Sequence, residues 1–251
     1  MSTPPEDVWR TWGFLQRLDW AARETSRQGP RLPNWILAAT YGRFLAQNVV
    51  FLLLLLIFPL GVGSRRDLIW QCFLRYTAWT YLLDCLGVRN GPMLDGRFTP
   101  WPYGMFTMAR YRLTRGSLKV ARFACFGSCR TALDVASYLI LLLALAVACV
   151  FPSLLRQAFV VSVACAGWSF FSDHQQFLAA QSTTYFHVLL CGCFLPHQGG
   201  LACTQLHVML VWLGSGLGKI GPWFAFVNGP FLSASVWLRG RQWLWHYDKF
   251  G

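Results

Sequence analysis

The sequence predicts an all-α fold, a polytopic membrane bundle of about six transmembrane helices with an amphipathic helix at the amino-terminal interface. Three observations carry this. The run Asn48–Gly63, NVVFLLLLLIFPLGVG, holds five consecutive leucines and has no polar face. Extended back through Phe44, Leu45 and Ala46, it reaches roughly the 20 residues that cross a hydrocarbon core of about 30 Å. A second run, ALDVASYLILLLALAVACVF at 132–151, is as clear. The third observation is composition. The 251 residues are 55% hydrophobic and 16% aromatic, and only 13% are charged, against roughly 25% charged in an ordinary soluble domain. The 13 tryptophans suit membrane–water interfaces, where the ring is buried and its N–H stays wet.

In chain order, residues 1–34 form the interfacial amphipathic segment. Ser2 or Thr3 can cap, Pro4 and Pro5 suit a first turn, and Glu6 and Asp7 favour the positive helix end. Val8, Trp12, Leu15 and Ala22 follow helical spacing, the pattern of a helix lying among headgroups. Five arginines and four acids precede any apolar core, unlike a secretory signal or an acid-poor transit peptide. Residues 35–222 form the transmembrane domain, with spans at about 35–61, 68–87, 132–151, 154–172, 184–197 and 201–220. The second contains Gln71, Arg75 and Asp84, so part of its length must face protein or water. The fifth is short. Residues 223–251 are an aromatic and basic interfacial segment, because Asn228-Gly229-Pro230 interrupts its apolar stretch.

The net charge of +12 has a topological explanation rather than a nucleic-acid one. Five arginines before residue 35, eight basic residues in the loop 88–131, and Arg239, Arg241 and Lys249 fall on one face. Arg65, Arg66 and Arg156 fall on the other, and Arg43, Arg75 and Lys219 lie within spans. Short loops rich in Lys and Arg stay inside. Both termini are therefore expected on the cytoplasmic, stromal or matrix side. Nine cysteines, an odd count without paired CxxC spacing, fit neither a disulfide framework nor a zinc site and are taken as small apolar fillers.

Five blocks carry a resemblance: LGVRNGPMLDGRFTPWPYGMF (Leu86–Phe106), RLTRGSLK (Arg112–Lys119), RTALDVASYL (Arg130–Leu139), DHQQFLAAQSTTYF (Asp173–Phe186) and WLGSGLGKIGPWFAFVNGPFLS (Trp212–Ser233). In this order they resemble a family of uncharacterised bacterial and algal multi-span membrane proteins, over about residues 68–235. The resemblance implies a helical membrane fold and supplies no reaction. Members of that family continue beyond this chain's end, so an active site needing that region would be incomplete here.

Candidate chemistry is sparse. The Gly/Pro-rich loop 88–131 lacks a phosphate-cradling pattern; with Arg97, Arg110, Arg112, Arg115 and Lys119 it is a candidate surface for anionic lipid, or a folded cap on the bundle. Asp84, Asp134 and Lys219 lie near span ends, where Lys219 paired with either carboxylate would tie three spans together. Arg75 has no partner evident in the sequence, which leaves a subunit, a lipid phosphate or a backbone carbonyl. His187, His207 and His174 are candidate ligands for haem or chlorophyll, with carotenoid a further pigment. Counted from their span ends, His187 and His207 would differ in depth by roughly 15–20 Å, too far to clamp one haem. Gly214 and Gly218 form a GxxxG step suited to close helix packing. No catalytic triad or dyad can be assembled. The expected function is an accessory or scaffold subunit of a larger membrane complex, with the bilayer, anionic lipid and other subunits as partners. A lipid- or quinone-modifying enzyme, or a small-molecule carrier, is the alternative.

Overall fold

The computed structural model describes residues 34–59, 65–88, 107–173 and 180–217, with a few isolated positions between 11 and 20. Most of the amino-terminal segment, residues 89–106 of the basic loop and the segment 223–251 lie outside the described residues. The chain divides into two units, Thr40–Leu210 and a smaller one drawn from both ends; the larger carries the charged junctions and the histidine pair discussed below, and Trp212, Leu213 and Gly214 belong to the smaller.

Seven α-helices are described: α1 Asn34–Ile57, α2 Arg65–Cys85, α3 Thr107–Leu113, α4 Ala132–Val150, α5 Leu155–Ser172, α6 Ala180–Phe194 and α7 His197–Leu217. A described helix lies within each expected span. Two stretches, Ala132–Val150 and Pro152–Ser172, are long and apolar enough to cross a membrane, and Tyr41–Ile57 and Thr184–Phe194 are shorter apolar helices. Among the described residues the only β pairing is an isolated antiparallel bridge between Leu118 and Cys129.

Local chemistry sets the helix ends. Thr131 and Asp134 form a reciprocal capping box at the start of α4, satisfying two backbone N–H groups that the first turn leaves open. At the end of α2, Val88 N–H donates to Leu83 O and Gly87 N–H to Asp84 O. Gly87 has φ 71°, the left-handed position that closes a helix at little steric cost.

Helix α4 packs against α5 and α2, α5 against α6, and α6 back against α2, closing a four-helix ring. From α2 the ring buries Trp70, Leu74, Ala78, Tyr81 and Cys85, a stripe at steps of three and four residues as one helix face requires. Helix α4 answers with Tyr138, Leu141, Leu145 and Ala148. Glycine permits two close approaches. A Cβ on Gly192 would lie 2.8 Å from Phe159 of α5, and one on Gly200 would lie 2.6 Å from Trp70 of α2.

The outer face carries many large apolar side chains, and the interior holds polar ones beside its apolar core. Leu139, Ile140, Leu143, Val160, Val161 and Phe171 are exposed, whereas Arg75, Thr80, Asp84, Ser162 and Ser169 are buried. Water would penalise so large an uncovered apolar surface, whereas hydrocarbon accepts it.

Candidate functional site

Charge concentrates where the basic loop meets the bundle. The Leu118–Cys129 bridge folds the loop back on itself, with Lys119 N–H donating to Ser128 O at 2.8 Å. Lys119 Nζ thereby reaches Asp134 Oδ2 at 2.6 Å, with both side chains almost fully buried. Asp134 Oδ1 accepts from Trp168 Nε1 at 3.0 Å, so the carboxylate caps α4, neutralises a lysine and ties α4 to α5. Among the described residues the cation on Asp134 is Lys119, fifteen residues before it; Lys219, the expected partner of Asp134 or Asp84, lies outside the described residues. Asp84 is buried in the last turn of α2.

Arg130 is the second junction. Its Nη1 donates to Ser117 Oγ and Leu118 O, its Nη2 pairs with Asp173 Oδ2, and its guanidinium lies 4.4 Å from the Tyr111 ring centroid. Asp173 is buried, yet its Oδ1 has no hydrogen-bond partner among the described residues.

Of the described bases expected to face anionic lipid, Arg110 and Arg115 are exposed. Lys119 is buried against Asp134, and Arg112 is buried with its guanidinium 5.5 Å from the Tyr138 ring. Those two corrections share a cause: a carboxylate at a helix start and an aromatic face within reach draw the cations inward. Arg97 lies outside the described residues.

Arg75, fully buried in α2, meets backbone carbonyls. Its Nε donates to Cys149 O at 3.0 Å and its Nη1 to Phe58 O at 2.8 Å. Those carbonyls stand at the carboxyl ends of α4 and α1, where unpaired C=O groups and the negative end of the helix dipole favour a cation.

The histidines require a further correction. His187 of α6 and His207 of α7 lie at one level, with ring centroids 4.6 Å apart and planes inclined by 29°. The depth argument failed because it treated the fifth span as crossing the full bilayer; α6 and α7 are joined by the short turn at Leu195–Pro196, which brings the two rings side by side. Stacked face to face, the imidazoles are not arranged as coaxial ligands of one haem. They line a groove of about 450 Å³ with Leu190, Cys191, Cys203 and Leu206. Among the described residues, no three His, Cys, Asp or Glu side chains are grouped as a bound cation requires. His174 lies outside the described residues, as does Gly218. No described atom lies within 4 Å of a Cβ placed on Gly214, so its packing face is open there.

A family model described as "Transmembrane protein of unknown function (DUF3556)" matches residues 6–250. The chain belongs to this family. Membership of DUF3556 agrees with the apolar exterior described above and makes the chain an integral membrane protein. No curated protein and no solved structure matches it.

Sequence reasoning missed four residues here. Trp168 was visible only as an aromatic in a span. Thr131 was visible as a capping residue three positions before an acid. Cys191 and Cys203 were legible as HxxxC and CxxxH spacings rather than CxxC.

Proposed function

We propose that this DUF3556 chain is a non-enzymatic accessory or scaffold subunit of a larger complex in an energy-transducing membrane, photosynthetic or respiratory. The observation that supports this reading is what the bundle does with its charges. Arg75 closes two helix ends, Lys119 neutralises Asp134, and Arg130 pairs with Asp173. Charges used this way hold helices together, and what the surface offers is apolar: Leu206, Met209, Leu210, Trp212 and Leu213 of α7 are all exposed. Glycines in a membrane helix let another backbone approach, and the open face at Gly214 supplies such a place.

The proposal includes six spans, an interfacial segment at each end, and both termini on the basic face. Exposed Arg110 and Arg115 are its contact with anionic lipid. Native extraction in mild detergent tests it. The subunit reading expects migration with other polypeptides, well above the size of one chain and its detergent belt. A monodisperse, colourless monomer from native membranes would overturn it.

One observation favours a lipid- or quinone-modifying enzyme or carrier instead. Asp173 Oδ1 is a buried acceptor without a donor among the described residues, suited to a ligand hydroxyl. Under that reading, a quinone or lipid co-purifies with the chain and is lost in Asp173→Asn.

A further inference from the structure

The basic loop is built inside out. Between Gly116 and Arg130 its backbone pairs with itself: Gly116 N–H donates to Arg130 O, Arg130 N–H to Ser117 O, and Lys119 N–H to Ser128 O. Successive side chains on extended backbone point to opposite sides. Lys119 points inward and is buried, while Leu118 and Val120, on either side of it, are 67% and 49% exposed. Water favours the reverse arrangement, with the ammonium outside and the aliphatic chains covered. Two buried ion pairs, Lys119–Asp134 and Arg130–Asp173, hold the loop in this sense.

What lies against those side chains follows from where the loop is fastened. Arg122 N–H donates to Phe171 O at 3.0 Å, and the Phe123 ring stacks on that of Phe171 with centroids 6.0 Å apart. Phe126 meets Trp168 edge-on at 5.3 Å. Phe171 belongs to Pro152–Ser172, a stretch long and apolar enough to cross a membrane, and is itself exposed. Phe123, 52% exposed, therefore continues the apolar surface of that stretch onto the loop. A base stands beside it, since the Arg122 guanidinium lies 4.4 Å from the Phe170 ring centroid and Arg122 is exposed. Such a side chain lays its stem along apolar surface and keeps its charged head among headgroups.

We propose that this loop is an interfacial wedge whose occupant is bilayer lipid. Leu118, Val120 and Phe123 enter the acyl boundary on the membrane face where α5 ends, while Arg115 and Arg122 stay with the headgroup phosphates. The backbone of the loop lies among the headgroups, as interfacial amphipathic segments do. The wedge extends the lipid contact proposed above for Arg110 and Arg115 and rests on that reading.

The test is photo-crosslinking of the full-length chain in its native membrane, with p-benzoylphenylalanine placed in turn at Leu118, Val120 and Phe123. Leu143, exposed on α4, is the reference position. Irradiation is expected to leave a phospholipid on the chain at all three loop positions, in a yield like that at Leu143, with the new bond on an acyl chain. Adducts enriched in acidic phospholipid over the bulk membrane, and losing that enrichment in Arg110→Gln/Arg115→Gln, support the wedge and the anionic contact together. Adducts of bulk composition support the wedge and overturn the anionic contact. A cross-link to another polypeptide, a bond confined to the headgroup, or no adduct while Leu143 reacts would each overturn the wedge.

Discussion

Arg75 carries a full charge into the centre of the helix ring and is balanced by dipoles, through the Cys149 and Phe58 carbonyls. Arg75→Met leaves both helix ends short of a donor and should lower stability in detergent by about 1–3 kcal/mol, read from unfolding midpoints. Arg75→Lys keeps the charge but presents a point donor in place of a fork, so it should restore only part of that loss. The Lys119–Asp134 pair makes a different prediction. Lys119→Met strands a buried carboxylate and should cost about 3–5 kcal/mol. Lys119→Met combined with Asp134→Asn removes both charges and should recover much of the loss. Equal destabilisation in the single and double variants would mean that the pair contributes through the cap at Thr131 alone.

At the scale of elements, glycine decides which helices can touch. Gly200→Ala places a methyl against the Trp70 ring, and overpacking of that kind costs about 1–3 kcal/mol. Gly214→Leu, on a face with no described neighbour, should leave the isolated chain's unfolding midpoint unchanged and still release the chain from its native assembly. If Gly214→Leu co-purifies with the assembly as well as the parent chain does, α7 is not the contact helix. Helix positions were legible from unbroken apolar runs, because a span needs length and apolarity and little else. The partners of the charges were not. Asp134 was visible as a carboxylate near a span end, but its partner depended on a loop folding back through the Leu118–Cys129 bridge, and nothing in the periodicity announces a two-residue pairing. The level of the histidines was misjudged for a similar reason: depth was counted from presumed bilayer faces, while the packing of α7 back along α6 brings the two rings together.

For the molecule as a whole, the exterior records its solvent: exposed leucine and isoleucine surround buried arginine, serine and aspartate. Composition made that class legible, and charge bias gave an orientation that labelling can check. Cys125 and Cys129 are exposed on the basic loop, while Cys85, Cys149, Cys191 and Cys193 are buried. A membrane-impermeant maleimide should modify the loop pair from the basic face only. Modification from the opposite face would invert the orientation. The bond pattern of Arg75 also has a consequence for how the chain is made. Phe58 lies 17 residues before Arg75 and Cys149 lies 74 after it. At about 5–20 residues per second of synthesis, the guanidinium emerges with one carbonyl end already present and waits roughly 4–15 s for the other. Under the six-span proposal, α2 during that interval carries a cation whose place at the centre of a span costs about 2.5–3.5 kcal/mol on insertion scales. Its residence in the membrane is provisional until α4 emerges from the ribosome and completes the clasp.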